Sequence, residues 1–180
     1  IHDVGKSAAV FNPEKLLWLN HHYIMTGDPD RLADLLPDFI KAKGCVSPDH
    51  AYLTQVVLDV RERTKTLEEI VEFGDFYLTE KEPPKELKET FFKPELAAVF
   101  RSLVERLEKV DLSQKAQTEE AVKGLLDETG LKFKVLAQPM RVALTGKTVS
   151  PGIFEIISTL GKDRVIPRLR KALDYMEAKE

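Results

Sequence analysis

The sequence predicts an all-α protein of two helical lobes, and three observations predict it. Helix-start punctuation recurs, with a capping side chain set before a proline at Asn12-Pro13, Asp28-Pro29, Ser47-Pro48 and Ser150-Pro151. Apolar residues between these signals return at three- and four-residue spacing. No stretch keeps the two-residue alternation of a half-buried strand. Over 180 residues, 43% hydrophobic and 32% charged residues suffice for a core and argue against wholesale disorder. No apolar run approaches the roughly 18 residues a membrane span needs. Cys45 is the one cysteine, so no internal disulfide forms, and a reducing, cytoplasmic setting is expected. The opening Ile1-His2-Asp3 lacks an initiating methionine and reads as a cut inside a longer protein.

The elements follow in order. A first helix runs from Asn12-Pro13 to Gly27, and a second from Asp28-Pro29 to Gly44 with Leu32, Leu35, Leu36, Phe39 and Ile40 inward. Ser47-Pro48 starts a third, carrying Leu53, Val56, Val57, Val60 and Thr64 on one stripe. Thr66 with Glu69 is a capping box for a short fourth. A loop holding Pro83-Pro84 precedes a long helix from about Pro94. The polar, aperiodic stretch 111–117 is the expected linker between the lobes. Thr118 should cap the next helix, which stops near Gly130, and a helical segment with Pro139 inside it runs over 131–144. Ser150-Pro151 starts a helix closed by Gly161, and the last helix carries Pro167, where a bend or restart is expected.

Charge is unevenly spread. Residues 131–173 hold nine basic and two acidic side chains, a surplus of seven positive charges, whereas the whole chain carries −3 and the remainder therefore −10. Such a lobe suits a local phosphate-binding face, although solvated lysines on exposed helix faces would look the same. Gly146-Lys147-Thr148 and Gly5-Lys6-Ser7 resemble the end of a P-loop. The first has arginine at 141 where the loop needs glycine, and the second begins too late to supply one. His21 and His22 point about 100° apart on a helix and cannot chelate as i, i+4 histidines do. Glu68-Glu69 and Glu119-Glu120 lie in helix first turns, where carboxylates complement the dipole. No set of residues has the spacing of a catalytic or metal centre.

The corner from Gln138 to Ile153 is more informative. It holds a proline within a helix, a glycine stop and a Ser150-Pro151-Gly152 start whose free N–H groups suit phosphate or base-edge acceptors. Arg141 there can fork two hydrogen bonds to a base or stack on one, or simply be a surface arginine at a tight turn.

Two segments resemble the bacterial-type glutamyl-tRNA synthetases, class I glutamate–tRNA ligases, in their C-terminal, tRNA-binding half. One is Val4-Gly5-Lys6-Ser7 through Val10-Phe11-Asn12-Pro13-Glu14-Lys15-Leu16-Leu17-Trp18-Leu19-Asn20 with His22-Tyr23-Ile24. The other is Gln138-Pro139-x-Arg141-Val142-Ala143-Leu144-Thr145-Gly146, continuing through Ser150-Pro151-Gly152-Ile153-Phe154-Glu155 to Leu160-Gly161-Lys162. The resemblance implies the end of a stem-contact region over 1–25 and helical anticodon-binding domains over 26–112 and 113–180. It implies a monomer whose partner is glutamate tRNA. It also implies a parent enzyme that activates glutamate with ATP and Mg²⁺; that enzyme's nucleotide-binding signatures are absent here, so the chain alone should bind no cofactor and aminoacylate nothing. Arg141 matches the arginine that reads the anticodon, and Ser150, Pro151 and Ile153 match positions lining the pocket for anticodon bases. Arg63 matches the arginine reading the third anticodon base, an identity that favours the glutamate over the glutamine anticodon; an ion pair with Glu62 or Glu69 is the plainer alternative. Lys147, Lys162, Arg168 and Lys171 are candidates for the tRNA backbone. A stand-alone helical module that binds protein, its basic face incidental, is the competing reading.

Overall fold

The computed structural model describes residues 12–178. The segment Val4–Phe11 of the first resembling stretch, with Gly5-Lys6-Ser7, lies outside them. Within the described residues the chain is helical throughout, with no strand. Asn12 caps α1 (Pro13–Thr26), its Oδ1 accepting from the Lys15 N–H at 3.1 Å. The expected second helix is two, α2 (Pro29–Asp34) and α3 (Pro37–Ala42). Pro37 has no N–H to continue the ladder, so the chain turns at Leu35-Leu36 and restarts. The next start also differs from expectation. Asp49, not Ser47, accepts from the Tyr52 N–H, and α4 is His50–Val60. A 3₁₀ turn, Arg61–Arg63, leads to the capped α5 (Leu67–Phe73).

Two short helices, α6 (Asp75–Leu78) and α7 (Lys85–Phe91), occupy ground read as loop. The helix expected from Pro94 opens as a 3₁₀ turn, Pro94–Leu96, before α8 (Ala97–Leu107). α9 (Lys115–Thr129) starts ahead of Thr118, which lies buried inside it with an unpaired hydroxyl rather than capping it. α10 (Phe133–Thr145) contains Pro139, and Gly146 ends it at φ +70°, a conformation glycine adopts without strain. α11 (Ile153–Leu160) and α12 (Lys162–Glu177) complete the chain, and α12 continues through the exposed Pro167 as one element without restarting.

One apolar cluster runs from Ile24 to Met176. α2 packs on α4, α8 on both α9 and α12, α10 on α12, and α11 on α9 and α4. Phe76, Tyr77 and Phe100 are fully buried within it. Each such side chain contributes about 1.5–3 kcal/mol of burial, which offsets the entropy of ordering many short helices. Packing of the α10, α11 and α12 stripes thereby holds the 146–152 turn rigidly.

Candidate nucleic-acid interface

The site is a corner. α10 ends at Gly146, the chain turns through Val149, and α11 leaves at Ile153. Arg141 lies one turn before the end of α10 and folds its guanidinium onto that turn. Its Nη1 donates to the Pro151 carbonyl at 2.7 Å, the Ser150 carbonyl at 3.3 Å and the Ser150 hydroxyl oxygen. The Ser150 hydroxyl donates in turn to the Pro151 carbonyl at 3.0 Å. Half-buried Arg141 is therefore held by the residues expected to share its task. Burial, and then the nearby positive charge of Arg63, push its guanidinium below the ordinary value.

Arg63 reaches this corner from the other half of the chain. It ends the 3₁₀ turn after α4, is exposed, and makes no ion pair or hydrogen bond among the described residues. Glu69, one suggested partner, turns back instead to accept from the Lys65 N–H at 2.6 Å. Two arginines whose like charges act on one another favour an anion or a hydrogen-bond acceptor beside them. Lys134 and Gln138 share Arg141's face of α10 at helical spacing, and Lys132 and Lys134 are exposed. Gln138 Oε1 and Arg141 Nε are buried without a partner. Both atoms lie beneath the surface, where an unmet hydrogen bond is a cost to the fold and no base edge meets them directly. Gln138 escaped the sequence reading of site residues, since only burial singles it out. Phe133 stacks on Phe154 with ring centroids 5.6 Å apart at the outer end of the same corner.

Three pocket-lining positions are less open than expected. Ser150, Pro151 and Ile153 are buried, so they set the floor and rim beneath Arg141. The α11 start is not free either. Glu155 folds its carboxylate against Gly152, accepts its own N–H and pairs with Lys115. Burial pushes the Glu155 carboxyl up, but Lys115 and that N–H outweigh it and hold the group below its ordinary value. A carboxylate over a helix N-terminus repels phosphate, so the expected anion site at residues 150–152 is closed.

Part of the basic surplus is committed within the fold, although Lys132, Lys134, Lys162, Arg164, Arg170 and Lys171 are exposed. Arg168 is only 5% exposed, and its Nη1 and Nη2 donate to the carbonyls of Leu144 at 2.6 Å and Phe76 at 3.0 Å. That corrects its assignment to the tRNA backbone: a guanidinium committed to two carbonyls under the surface has no face for a phosphate. Lys147 donates to Asp75 Oδ1 at 2.6 Å and to the Glu72 and Phe73 carbonyls, and so ties the corner to α5 and α6. This also shows why Gly146-Lys147-Thr148 is no phosphate cradle. Its glycine ends a helix and its lysine points at a carboxylate. Lys162 donates to the Glu108 carbonyl at 2.7 Å and Lys171 to Glu80 at 2.6 Å, both remaining exposed. Arg164 lies over the Tyr52 ring at 4.7 Å and donates to the Tyr77 carbonyl. Asp59 Oδ2 accepts from Tyr77 at 2.7 Å and from Thr159 at 2.6 Å, linking α4, α6 and α11. His21 donates from Nδ1 to the Thr64 carbonyl, while His22 lies between the Trp18 and Tyr23 rings. No group of three or more potential metal ligands lies together, and no helix is long and apolar enough to cross a membrane, among the described residues.

The anticodon binding domain family matches residues 31–173. The chain is 43% identical over 180 residues to glutamate–tRNA ligase 1 of Syntrophus aciditrophicus and 42% identical over 178 residues to glutamate–tRNA ligase of Geobacter sulfurreducens. Those matches take in 99% and 98% of this chain but 38% of each relative, so the chain spans little over a third of their length. The fold superimposes on the crystal structure of a glutamate tRNA ligase from Elizabethkingia meningosepticum with a TM-score of 0.82 at 24% identity, over 95% of this chain and 34% of that one. A glutamate-tRNA synthetase structure from Elizabethkingia anophelis gives 0.80 at 20% identity, over 95% and 33%. The chain belongs to the anticodon binding domain family, as a member akin to the region that glutamate–tRNA ligases carry.

Proposed function

We propose that the chain is the tRNA-recognition part of a glutamate–tRNA ligase, reading glutamate-tRNA anticodon bases at the α10–α11 corner. One observation carries the reading. The exposed, unpaired side chain of Arg63 and the half-buried Arg141 come from opposite halves of the chain to within electrostatic reach of one another. Anticodon bases are single-stranded and can be splayed out and read on their Watson–Crick edges, which calls for fork-shaped donors on a rigid support. In this reading Arg141 meets one base over the Ser150, Pro151 and Ile153 floor, and Arg63 reads the third base. Lys132, Lys134 and Lys162, with Lys147 and Lys171 exchanging their acidic partners, supply the salt-dependent backbone attraction. The two helical domains divide at about residue 112.

Attachment of glutamate belongs to the remainder of such a ligase, which uses ATP and Mg²⁺. The residues described here do not fit a nucleotide site, because the one Gly-Lys-Thr sequence among them forms a helix end tied to Asp75. The chain acts as a monomer in the cytoplasm and has no aminoacylation activity by itself. The test is titration with a glutamate-isoacceptor anticodon stem-loop. Arg141→Ala should lose about 1–3 kcal/mol against the matched anticodon and little against altered ones. An equal loss for every anticodon would make Arg141 a phosphate contact and overturn base reading there. A protein-interaction module is the second reading, favoured by the exposed Trp18 and Tyr23 of α1. Loss of all RNA binding at low salt would favour it over the first.

A further inference from the structure

We infer that Asn20 and His21, on α1, are positioning residues that set the Arg63 turn for base reading. The inference rests on the proposed role of Arg63 and extends it to a helix well outside the corner. Arg63 is the last residue of a three-residue 3₁₀ turn, and a side chain on so short a turn points only as well as the backbone behind it is held. Four hydrogen bonds hold residues 64 and 65, three of them at backbone groups. The Thr64 hydroxyl donates to the Val60 carbonyl at 3.3 Å, closing the end of α4. The Thr64 carbonyl accepts from His21 Nδ1 at 2.7 Å. The Lys65 carbonyl accepts from Asn20 Nδ2, and the Lys65 N–H donates to Glu69. Two of these four bonds come from adjacent side chains of α1.

α1 otherwise buries one residue, Ile24, and leaves Trp18 65% exposed. It touches the 3₁₀ turn directly, and its polar side chains meet the residues that follow that turn. A carbonyl can only accept, so His21 carries its proton on Nδ1 here, which fixes the ring orientation and the reach of the bond. Without these donors the two carbonyls would turn to water, and the Arg63 guanidinium would sample directions away from its base.

The experiment compares binding of the 180-residue chain to a matched anticodon stem-loop and to one changed only at the third anticodon base. Arg63→Ala should cut that discrimination ratio about five- to 150-fold. Asn20→Ala/His21→Ala should cut it roughly three- to tenfold, the range ordinary hydrogen bonds command. It should leave the ratios at the other two anticodon positions unchanged. His21→Asn, which restores an N–H donor near the Nδ1 position, should recover most of the loss; His21→Gln, whose amide lies farther out, should not. Circular dichroism melting shows which variants are folded, and exposed Asn20→Ala alone carries the comparison if the double variant does not fold. Unchanged third-base discrimination in folded Asn20 and His21 variants, beside a loss in Arg63→Ala, overturns the positioning role and leaves the Arg63 reading standing. Unchanged discrimination in Arg63→Ala overturns the reading of Arg63, and the brace with it. Equal losses at all three positions would mark a general structural defect and overturn the inference.

Discussion

Arg168→Ala separates packing from RNA contact more sharply than any other single change. Arg168 is 5% exposed, and its guanidinium donates at 2.6 and 3.0 Å to the Leu144 and Phe76 carbonyls. It thereby joins the end of α10 to α6 from its place on α12. Hydrogen bonds from a charged donor contribute about 1.5–3 kcal/mol each. Removing the cation also relieves the burial that pushes its ionisation down, so the net loss is smaller than two such bonds. About 2–4 kcal/mol of destabilisation is expected. For a chain of this size each kcal/mol moves Tm by about 2–4 °C, giving a fall of roughly 4–16 °C. Thermal unfolding followed by circular dichroism measures it. The salt dependence of RNA binding, measured below the variant's melting range, should keep its slope. An unchanged Tm with a slope shallower by about one phosphate contact would refute the buried-clamp account and restore Arg168 to the interface.

Two further outcomes test the surroundings of the corner. Gly130 and Gly146 share a left-handed conformation, at φ +69° and +70°, but only at Gly146 would a Cβ crowd a neighbour, lying 3.1 Å from Lys81 Cβ. Gly130→Ala should cost about 1 kcal/mol and Gly146→Ala measurably more in urea unfolding, and equal costs would show that Lys81 yields freely. Tyr77 is held protonated far above its ordinary range of about 10, first by burial and then by Asp59. The unfolded chain releases this proton near pH 10 while the folded chain keeps it, so stability present below pH 10 is lost as pH rises. Each pH unit above 10 should cost about 1.4 kcal/mol from this group, and Tyr77→Phe should flatten the slope by that amount; an unaltered slope would contradict the assignment.

Legibility followed sequence distance. The α10–α11 corner was readable because its signals are local: Pro139 within a helical period and Gly146 and Gly161 as stops, although α11 begins at Ile153 behind Gly152 and Ser150 does not cap it. Arg63 could be proposed only through the family resemblance, and nothing local says that its charge is felt at Arg141. One misplaced start came from a competing capper, and another from a start that no side chain caps. Asp49 outranks Ser47 by standing next to the helix, and Thr118 lost to a start three residues earlier, where the chain turns after Leu112. Pro37 divided a helix whose apolar period runs on across it. The largest miss was in the basic surplus. Lys147, Arg164 and Arg168 find acceptors between Tyr52 and Tyr77, far back along the chain, and charge counting cannot tell an inward cation from an outward one. Gln138 was silent for the same reason, since only packing reveals an acceptor left without a donor.

The central claim is that this chain recognises anticodon bases and not merely polyanionic RNA. The most direct measurement is the affinity of the unaltered chain for a glutamate-isoacceptor stem-loop against the same stem-loop with its anticodon replaced, each at low and moderate salt. The account predicts that both affinities fall together with salt while their ratio holds at roughly tenfold or more, the worth of one good base contact. A ratio of one at both salts would contradict it, leaving only a charged surface where a reading site was proposed.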